Sequence, residues 1–176
     1  MNTDDLTDRQ LLDLHCTVMD ALRQRGVIRS ANNPVADYTE TLVARALNAT
    51  LATGSQAGFD AVGPDGTRYQ IKGRRLTAAN KSTQLSALRN LASNPFDQLA
   101  AVVFNSNLHV EYAALIPLDV VKRVGRYRVH TNAHTLHFRR KLLSEPDVVD
   151  ITDLIHKAYD SQSPLDPSLD HKGLLD

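Results

Sequence analysis

Three polar residues near the middle of the sequence, Asp60, Gln70 and Lys72, have side chains that the hydrolysis of a phosphate ester can use. A carboxylate and an amide oxygen suit a hard cation such as Mg²⁺, which prefers oxygen ligands and keeps several waters. A lysine is not a ligand of such an ion, but its ammonium can orient or deprotonate a water, or meet the charge that develops on a phosphate. These residue types predict a Mg²⁺ site that acts on phosphates, provided that the fold brings them together.

The segment that carries these residues is predicted to be a β-hairpin. A short apolar run precedes the turn sequence Pro-Asp-Gly at residues 64–66, and residues 67–72 alternate with a period of two. With the turn as the loop, Asp60 pairs with Gln70 across the strands, at a Cβ separation of about 4.5–5.5 Å, and Lys72 is a diagonal neighbour at about 7–8 Å. An ordinary exposed hairpin with polar residues on its wet face fits the same pattern.

A second carboxylate, Glu40, lies on a helix predicted for residues 35–48. At about 100° per residue, Glu40 falls at the margin of the apolar face of this helix and not on the solvent side. A carboxylate in that position needs a partner: its charge extends to solvent or pairs with a lysine, or it holds a metal or a water. Gln56, just before the hairpin, is a further candidate for the same cleft.

Glu40, Asp60 and the Gln-Ile-Lys run at residues 70–72 resemble the PD-(D/E)xK nuclease superfamily, in the QxK form of Mrr-like restriction enzymes. The similarity covers roughly residues 35–130, and its specific part is Glu40 with residues 58–75. The resemblance implies an α/β fold with a restriction endonuclease-like core, in which helices flank a central mixed β-sheet. It also implies an endonuclease that hydrolyses DNA phosphodiester bonds with Mg²⁺, or with Mn²⁺ in its place, in restriction or defence.

The resemblance also implies a role for each residue. Asp60 would be the central metal ligand, Gln70 would fill the second acidic position, Lys72 would be the catalytic lysine and Glu40 the acid on the helix. Gln70 departs from the acidic pattern because its amide offers an oxygen without a charge. A DNA-binding module on the same fold that cuts weakly or not at all is therefore an alternative, and a regulatory partner in a larger assembly is another.

The charge of the chain is zero overall but unevenly distributed. Residues 66–141 carry thirteen lysines and arginines against three acids, a net charge of +10, whereas residues 1–65 carry −4 and residues 142–176 carry −6. The middle of the chain is thus expected to attract a polyanion, with duplex DNA as the expected partner, although a dispersed solvated surface is the plainer interpretation. The residues expected to contact DNA are Arg74, Arg75, Lys81, Gln56, Arg126 and Arg128.

Length and composition predict one domain. The chain has 176 residues, of which 42% are hydrophobic and 23% charged. We expect a single domain over residues 1–160 and a flexible acidic tail over residues 161–176, which is rich in Ser, Pro and Asp. The segments predicted within the domain are an N-terminal helix at 6–25, a core at 35–130, a helix at 82–92 packed through Leu85 and Leu88, buried strands at 99–104 and 108–116, a helix from 117 to 124, a basic ribbon over 126–139 and a C-terminal helix at 151–159 with Leu154, Ile155 and Ala158 inward.

The sequence also disfavours several classes of protein. The single cysteine, Cys16, excludes an intramolecular disulfide, and its place in an apolar helical pattern predicts that it is buried. No apolar run reaches the length of about 18 residues that a membrane span needs, and the N-terminus lacks the layout of a signal peptide. We therefore expect a cytoplasmic protein without a membrane partner, with a homodimer as one expected state. Aromatic residues make up 5% and tryptophan is absent, which argues against a binder of single strands by stacking.

Three histidines, His130, His134 and His137, are compatible with a zinc site or an HNH-nuclease site. An HNH site needs a ββα arrangement, and no helix carrying a histidine and an asparagine follows the ribbon at short range. No cysteine is available there to complete a zinc site. The sequence therefore favours a Mg²⁺ site at the hairpin over a zinc site at these histidines.

Overall fold

The structure, a computed structural model, describes residues 2–30, 33–53 and 58–161. The predicted DNA contact Gln56 and the predicted acidic tail beyond Ser161 lie outside the described residues. The four α-helices are α1 (Asp8–Gln24), α2 (Val35–Leu47), α3 (Leu118–Val124) and α4 (Thr152–Asp160). The nine strands are β1 (Thr50–Leu51), β2 (Ala61–Val62), β3 (Arg68–Arg75), β4 (Leu88–Arg89), β5 (Gln98–Phe104), β6 (Val110–Pro117), β7 (Arg126–Arg128), β8 (Ala133–Thr135) and β9 (Val149–Asp150).

Six of these strands form a central mixed sheet in the order β1-β2-β3-β5-β6-β9, and the other three form a small sheet in the order β4-β8-β7. β3 and β5 are parallel, whereas the other neighbours in both sheets are antiparallel. A parallel pair needs a long crossover connection, and here residues 76–97 provide it. The predicted α/β class with a central mixed sheet flanked by helices is confirmed, and the narrower restriction endonuclease-like assignment stays a prediction.

Both faces of the central sheet are covered, which is why β5 is an almost continuous apolar run. One set of its alternating side chains, which includes Leu99 and Val103, packs in a core that α3 and the crossover connection complete. The other set, which includes Val102 and Phe104, packs against α2 and α4. The central sheet is therefore held rigidly from both sides, and β3 joins the hairpin directly to this buried strand.

The helix α2 approaches β3 very closely at one point. A Cβ placed on Gly73 would collide with the Oγ1 of Thr39 and lie 3.0 Å from its Cβ. Thr39 is fully buried on α2, and its hydroxyl donates a hydrogen bond to the carbonyl of Val35 at 2.5 Å. Only a glycine at position 73 allows this approach, which sets the position of the following residue, Glu40, relative to the hairpin.

The segment 82–92 is not the predicted helix. Leu85 and Leu88 are buried as expected, but the segment is extended, with the short strand β4 followed by a 3₁₀ turn at Leu91–Ser93. Its backbone pairs with a distant segment: the N–H of Leu85 donates to Leu136 at 2.9 Å, and Phe138 donates to Thr83 at 3.0 Å. These non-local hydrogen bonds replace those of a helix, so tertiary pairing outweighs the local leucine spacing.

Three smaller expectations are also wrong. The ribbon predicted over residues 126–139 is shorter than expected: its second strand, β8, ends at Thr135, because Leu136 and Phe138 are buried in the core. Cys16 is exposed, since α1 contacts the rest of the domain mainly near Met19. Leu154 on α4 is 40% exposed, whereas its predicted partners on the inward face are buried.

The boundaries of the other helices agree with the sequence signals. Thr7 caps α1 through a reciprocal pair of hydrogen bonds with Gln10, and Gly26 follows the helix with a φ of +65°. α3 begins after Pro117 and ends at Gly125, as predicted. Within the part of the chain that the structure describes, no helix is long and apolar enough to cross a membrane.

The contact between α2 and β3 generates a stability prediction. Gly73→Ala should lower the free energy of unfolding by about 1–3 kcal/mol, because the new methyl group overpacks against Thr39. Urea denaturation of the variant and the parent protein measures the difference.

Thr39→Ala and the double variant with Gly73→Ala serve as matched controls. Removing the Thr39 hydroxyl and methyl relieves most of the clash, so the two substitutions together should cost less than the sum of their separate effects. A strictly additive pair, or a Gly73→Ala protein as stable as the parent, would contradict the close approach.

Candidate functional site

The hairpin has the register that the sequence predicts. Val62 pairs with Arg68 and Ala61 pairs with Tyr69, and the N–H of Gly63 closes the turn by donating to Thr67 at 2.8 Å. The β2 strand is only two residues long, so the ladder itself stops before Asp60. Asp60 nevertheless keeps a fixed place beside β3 through bonds of its own.

Main-chain and side-chain bonds both hold Asp60. Its N–H donates to the carbonyl of Tyr69 at 2.7 Å, and its carbonyl accepts from Ala52 at 2.9 Å. Its carboxylate Oδ2 accepts from the backbone N–H of Ile71 at 2.6 Å and from the side-chain amide of Gln70. A carboxylate held by backbone donors has one orientation, which is what a metal ligand or a charge partner requires.

Lys72 completes this cluster. Its Nζ lies 3.7 Å from the Asp60 Oδ2, and the two side chains are 20% and 24% exposed respectively. The three hairpin residues that the register places together, Asp60, Gln70 and Lys72, therefore do meet. Both charged side chains are partly desolvated but remain open to solvent, as chemistry on a large substrate would need.

The two oxygens of the Asp60 carboxylate differ in their surroundings. Among the residues that the structure describes, the hydrogen bonds and the ion pair of this carboxylate all reach Oδ2. Oδ1 is thus the oxygen that remains for a cation or a water. Gln70 presents its Nε2 to Asp60, because an amide oxygen facing a carboxylate would be repelled. The Gln70 oxygen would have to turn towards an ion in order to bind it.

Glu40 joins the cluster from α2 and is only 16% exposed. Burial raises the pKa of Glu40, the negative charge of Asp60 raises it further, and the positive charges of Arg29 and Lys72 lower it in part. Glu40 therefore lies within electrostatic reach of both charged hairpin residues, which is the juxtaposition that the sequence could only suggest.

The partner of Glu40 is Arg29, which the sequence did not single out. The Arg29 guanidinium forms an ion pair with Glu40 and also reaches the carbonyl of Ala52 at 3.5 Å. Two backbone N–H groups, those of Arg29 and Ser30, donate to Asp37 at 2.8 and 2.7 Å and so tie this loop to the first turn of α2. The only indication of Arg29 in the sequence was that Glu40, at the margin of the apolar face of α2, needs a partner.

The donor set fits a hard divalent cation in its chemistry. The cluster offers two carboxylates and one amide, all oxygen donors, and Mg²⁺ is commonly bound by one or two carboxylates together with waters and substrate phosphates. Within residues 2–30, 33–53 and 58–161, no group of three or more His, Cys, Asp or Glu side chains is arranged to hold a metal ion. On the basis of their oxygen donors, the residues that could hold a cation are Asp60, through Oδ1, with Glu40 and Gln70.

The arginines after Lys72 are tied to the protein itself. Arg74, two residues after Lys72 and so on the same face of β3, donates to the carbonyl of Ser82 at 2.6 Å and to the side chain of Asn80 at 2.9 Å. Arg75 donates to the carbonyl of Ser106. Arg74 thus shapes the loop on which Lys81 stands exposed, so Lys81 is better placed than the arginines to reach a ligand.

The remaining predicted DNA contacts, Arg126 and Arg128, lie apart from the hairpin on β7 of the small sheet. The structure thus brings together Glu40 and the three hairpin residues, and leaves the basic ribbon as a separate feature. In comparisons with known proteins, no protein-family model matches this chain, and no curated protein is significantly similar to it.

The raised pKa of Glu40 predicts how stability depends on pH. A carboxyl with a raised pKa stabilises the fold below its unfolded pKa of about 4.5, and that contribution is lost as the pH rises through the folded pKa. Because Gln does not titrate, the stability of the parent protein relative to Glu40→Gln should fall as the pH rises from about 4 to 7.

Urea unfolding of both proteins across this pH range, without divalent cations, measures the effect. Glu145→Gln is the control, because it removes a carboxylate from an exposed ion pair with Arg123 and reports changes due to net charge alone. Parallel stability profiles for Glu40→Gln and the parent protein would contradict the assigned burial of Glu40.

Proposed function

We propose that this protein is a divalent-cation-dependent nuclease that hydrolyses phosphodiester bonds of duplex DNA at the hairpin cluster. The observation that carries the proposal is the Asp60 carboxylate, fixed by the backbone of Ile71, with the Lys72 ammonium 3.7 Å away and both side chains partly buried. Glu40 adds a second carboxylate within electrostatic reach. Fixed oxygen ligands beside a cation are the arrangement that phosphate hydrolysis uses.

Each residue has a distinct task in this proposal. Asp60 offers Oδ1 to the cation while Oδ2 stays bonded to Ile71, so its orientation does not change on binding. Lys72 donates to the attacking water or to the phosphate oxygen on which charge develops. Glu40 holds a water or the cation from the helix side, with Arg29 stabilising its charged form. When bound, Mg²⁺ or Mn²⁺ would polarise the phosphate and lower the pKa of a bound water.

The substrate side of the proposal rests on charge. Residues 66–141 carry +10 and include the strand of Lys72 and the loop of Lys81, so the middle of the chain attracts a phosphate backbone. Arg74 contributes by holding the Lys81 loop in place, and Arg75 by holding the turn at Ser106. The same proposal includes a cytoplasmic location and a homodimer that acts in restriction or defence.

A second function, a DNA-binding module that does not cut, is favoured by one specific observation. All three candidate ligands already have protein partners, although the Asp60 Oδ1 has none among the described residues. Asp60 accepts from Ile71 and Gln70, and Glu40 pairs with Arg29. The two interactions at issue are those of Gln70 with Asp60 and of Glu40 with Arg29. A cation would have to displace both interactions, and a protein that binds DNA without cleaving it would keep them. A non-cutting regulatory partner in a larger assembly would keep them as well.

Cleavage assays separate these functions. Purified protein should nick or cut plasmid or linear duplex DNA with Mg²⁺ or Mn²⁺ and not with a chelator. Asp60→Asn should abolish cleavage, and Lys72→Ala should reduce its rate by roughly 10²–10³-fold while duplex affinity changes little, because Lys72 serves the transition state.

Lys157→Ala, an exposed charge on α4, is the matched control for Lys72→Ala and should cleave at the parent rate. Cleavage that persists in the chelator contradicts the role of the cation. No cleavage with either metal, combined with salt-dependent duplex binding, establishes the non-cutting module instead.

Gln70→Glu tests whether Asp60 and Gln70 share an ion. The substitution replaces the donor that faces the Asp60 Oδ2 with a second carboxylate, so without divalent cations the variant should be less stable than Gln70→Ala. With millimolar Mg²⁺ the melting temperature of Gln70→Glu should rise more than that of the parent protein, because a second charged ligand tightens binding to the folded state.

Thermal melts with and without Mg²⁺ measure this, and isothermal titration gives the cation affinity directly. If Mg²⁺ raises the melting temperature of Gln70→Glu no more than that of Gln70→Ala, and both variants bind Mg²⁺ with the same affinity, the two side chains do not share an ion.

A further inference from the structure

A second concave site lies away from the hairpin cluster, between the β7–β8 ribbon and the 3₁₀ segment Arg140–Ser144. Its volume is about 380 Å³, which falls within the size range of about 300–1,000 Å³ for small-molecule sites. None of the residues of the hairpin cluster lines it. The nuclease proposal therefore does not account for this cavity.

One wall of the cavity is the basic face of the ribbon. Arg126 and Arg128 alternate with Tyr127 on β7, so their side chains share a face, and the partner of Arg126 across the ribbon is Thr135. Arg126, Arg128 and Thr135 all line the cavity, and His137, two residues beyond Thr135, lines it as well. The ribbon thus directs its cationic face into a concavity that is open to solvent.

The other wall adds two more cations, Arg139 and Lys141. Within the described part of the chain, the side chains of the four cations in the two walls make no hydrogen bond or ion pair with the protein. Arg74 and Arg140 behave differently, since both donate to backbone carbonyls. The side chains of these four cations therefore make no polar contact that stabilises the fold. Because they lie around one cavity, their positive charges repel each other.

The acidic residue in the wall does not neutralise them. Glu145 lines the cavity, but its carboxylate is paired with Arg123 at a distance of 3.4 Å. With four cations and one carboxylate the lining carries a net charge of +3, with His137 taken as neutral. Such a concentration of unpaired charge matches an anion that carries several charges, because each guanidinium can donate two parallel hydrogen bonds to phosphate oxygens.

The floor of the cavity is apolar. It contains Leu136 and Leu142, which are 2% and 8% exposed, and Val124 stands at its edge. Because both leucines are already buried, the apolar surface that a ligand can still cover here belongs mainly to Val124, which is 38% exposed, and the flat ring of a nucleobase can pack on it. The convex backbone of duplex DNA would contact the cations at the rim without entering the concavity.

We propose that this cavity binds a free nucleotide with two or more phosphates, with the phosphates on Arg126, Arg128, Arg139 and Lys141 and the base against Val124 at the edge of the apolar floor. This site is distinct from the hairpin cluster and independent of cleavage. It also gives the four unpaired cations a ligand whose charge and size match the lining.

Isothermal titration of the full chain with ADP, ATP, AMP and pyrophosphate, in the absence of DNA and divalent cations, tests the proposal. ADP and ATP should bind more tightly than either AMP or pyrophosphate, since AMP lacks the second phosphate and pyrophosphate lacks the base. Arg139→Ala with Lys141→Ala should weaken ADP binding roughly 10- to 100-fold.

The matched control is Arg45→Ala with Lys157→Ala, which removes the same two charges from exposed positions on α2 and α4. It should bind ADP like the parent protein, and so should Asp60→Asn, whether or not the hairpin cluster cleaves DNA. Arg126→Gln is a second variant of the cavity, and thermal melts verify that each variant is folded.

Three results would overturn the proposal. The first is no binding of ADP or ATP at millimolar concentration. The second is pyrophosphate binding as tightly as ADP, which would leave the apolar floor without a role. The third is a loss of duplex affinity in the Arg139 and Lys141 double variant without any nucleotide affinity in the parent protein, which would assign these cations to a DNA surface.

Discussion

The close approach of α2 to β3 is the constraint on which the candidate site depends. Thr39 is fully buried against the bare backbone of Gly73, and this contact allows no larger residue between the helix and the sheet. Glu40 follows Thr39 on the helix, and Lys72 precedes Gly73 on the strand. The packing of Thr39 on Gly73 therefore decides how close the Glu40 carboxylate comes to the charges of the hairpin. No local interaction of Glu40 could set this distance.

The site that results is a balance of charges in a partly buried place. Asp60 and Glu40 carry like charges, and burial together with the charge of Asp60 raises the pKa of Glu40. Two cations offset this repulsion, Lys72 at Asp60 and Arg29 at Glu40. A divalent cation between the two carboxylates would relieve the same repulsion, since it favours the charged form of both. In the free protein the internal pairs hold the carboxylates in place, and the cation would compete with Arg29 and with the Gln70 amide for them.

The basic side chains of this chain fall into two groups with different physical roles. One group stabilises the structure. Arg68 makes a two-point ion pair with Asp97 at 2.7 and 3.0 Å, and Arg74 and Arg75 donate hydrogen bonds to backbone carbonyls of loops. The other group has no hydrogen bond or ion pair among the described residues, and four of its nine members, Arg126, Arg128, Arg139 and Lys141, line the ribbon cavity. Sequence alone gives both groups the same appearance, because a guanidinium has five donors and its targets are set by the loops that pass near it.

The amino-acid sequence determined the features that depend on local chemistry. The Pro-Asp-Gly turn and the period of two defined the hairpin register, Thr7 and Gly26 marked the ends of α1, and the apolar margin of α2 placed Glu40 beside the core. The α/β class, which the resemblance implies, agrees with the observed mixed sheet and its flanking helices.

Only the tertiary structure decided the features that depend on residues far apart in the chain. The segment 82–92 was predicted as a helix from its leucine spacing, yet its backbone finds hydrogen bonds on Leu136 and Phe138, roughly fifty residues later. Arg29 meets Glu40 through the fold of a loop, and the ribbon arginines meet Arg139 and Lys141 across a cavity. Local propensities are small beside the free energy of pairing a buried backbone or a buried charge, so the partner that packing supplies decides the outcome.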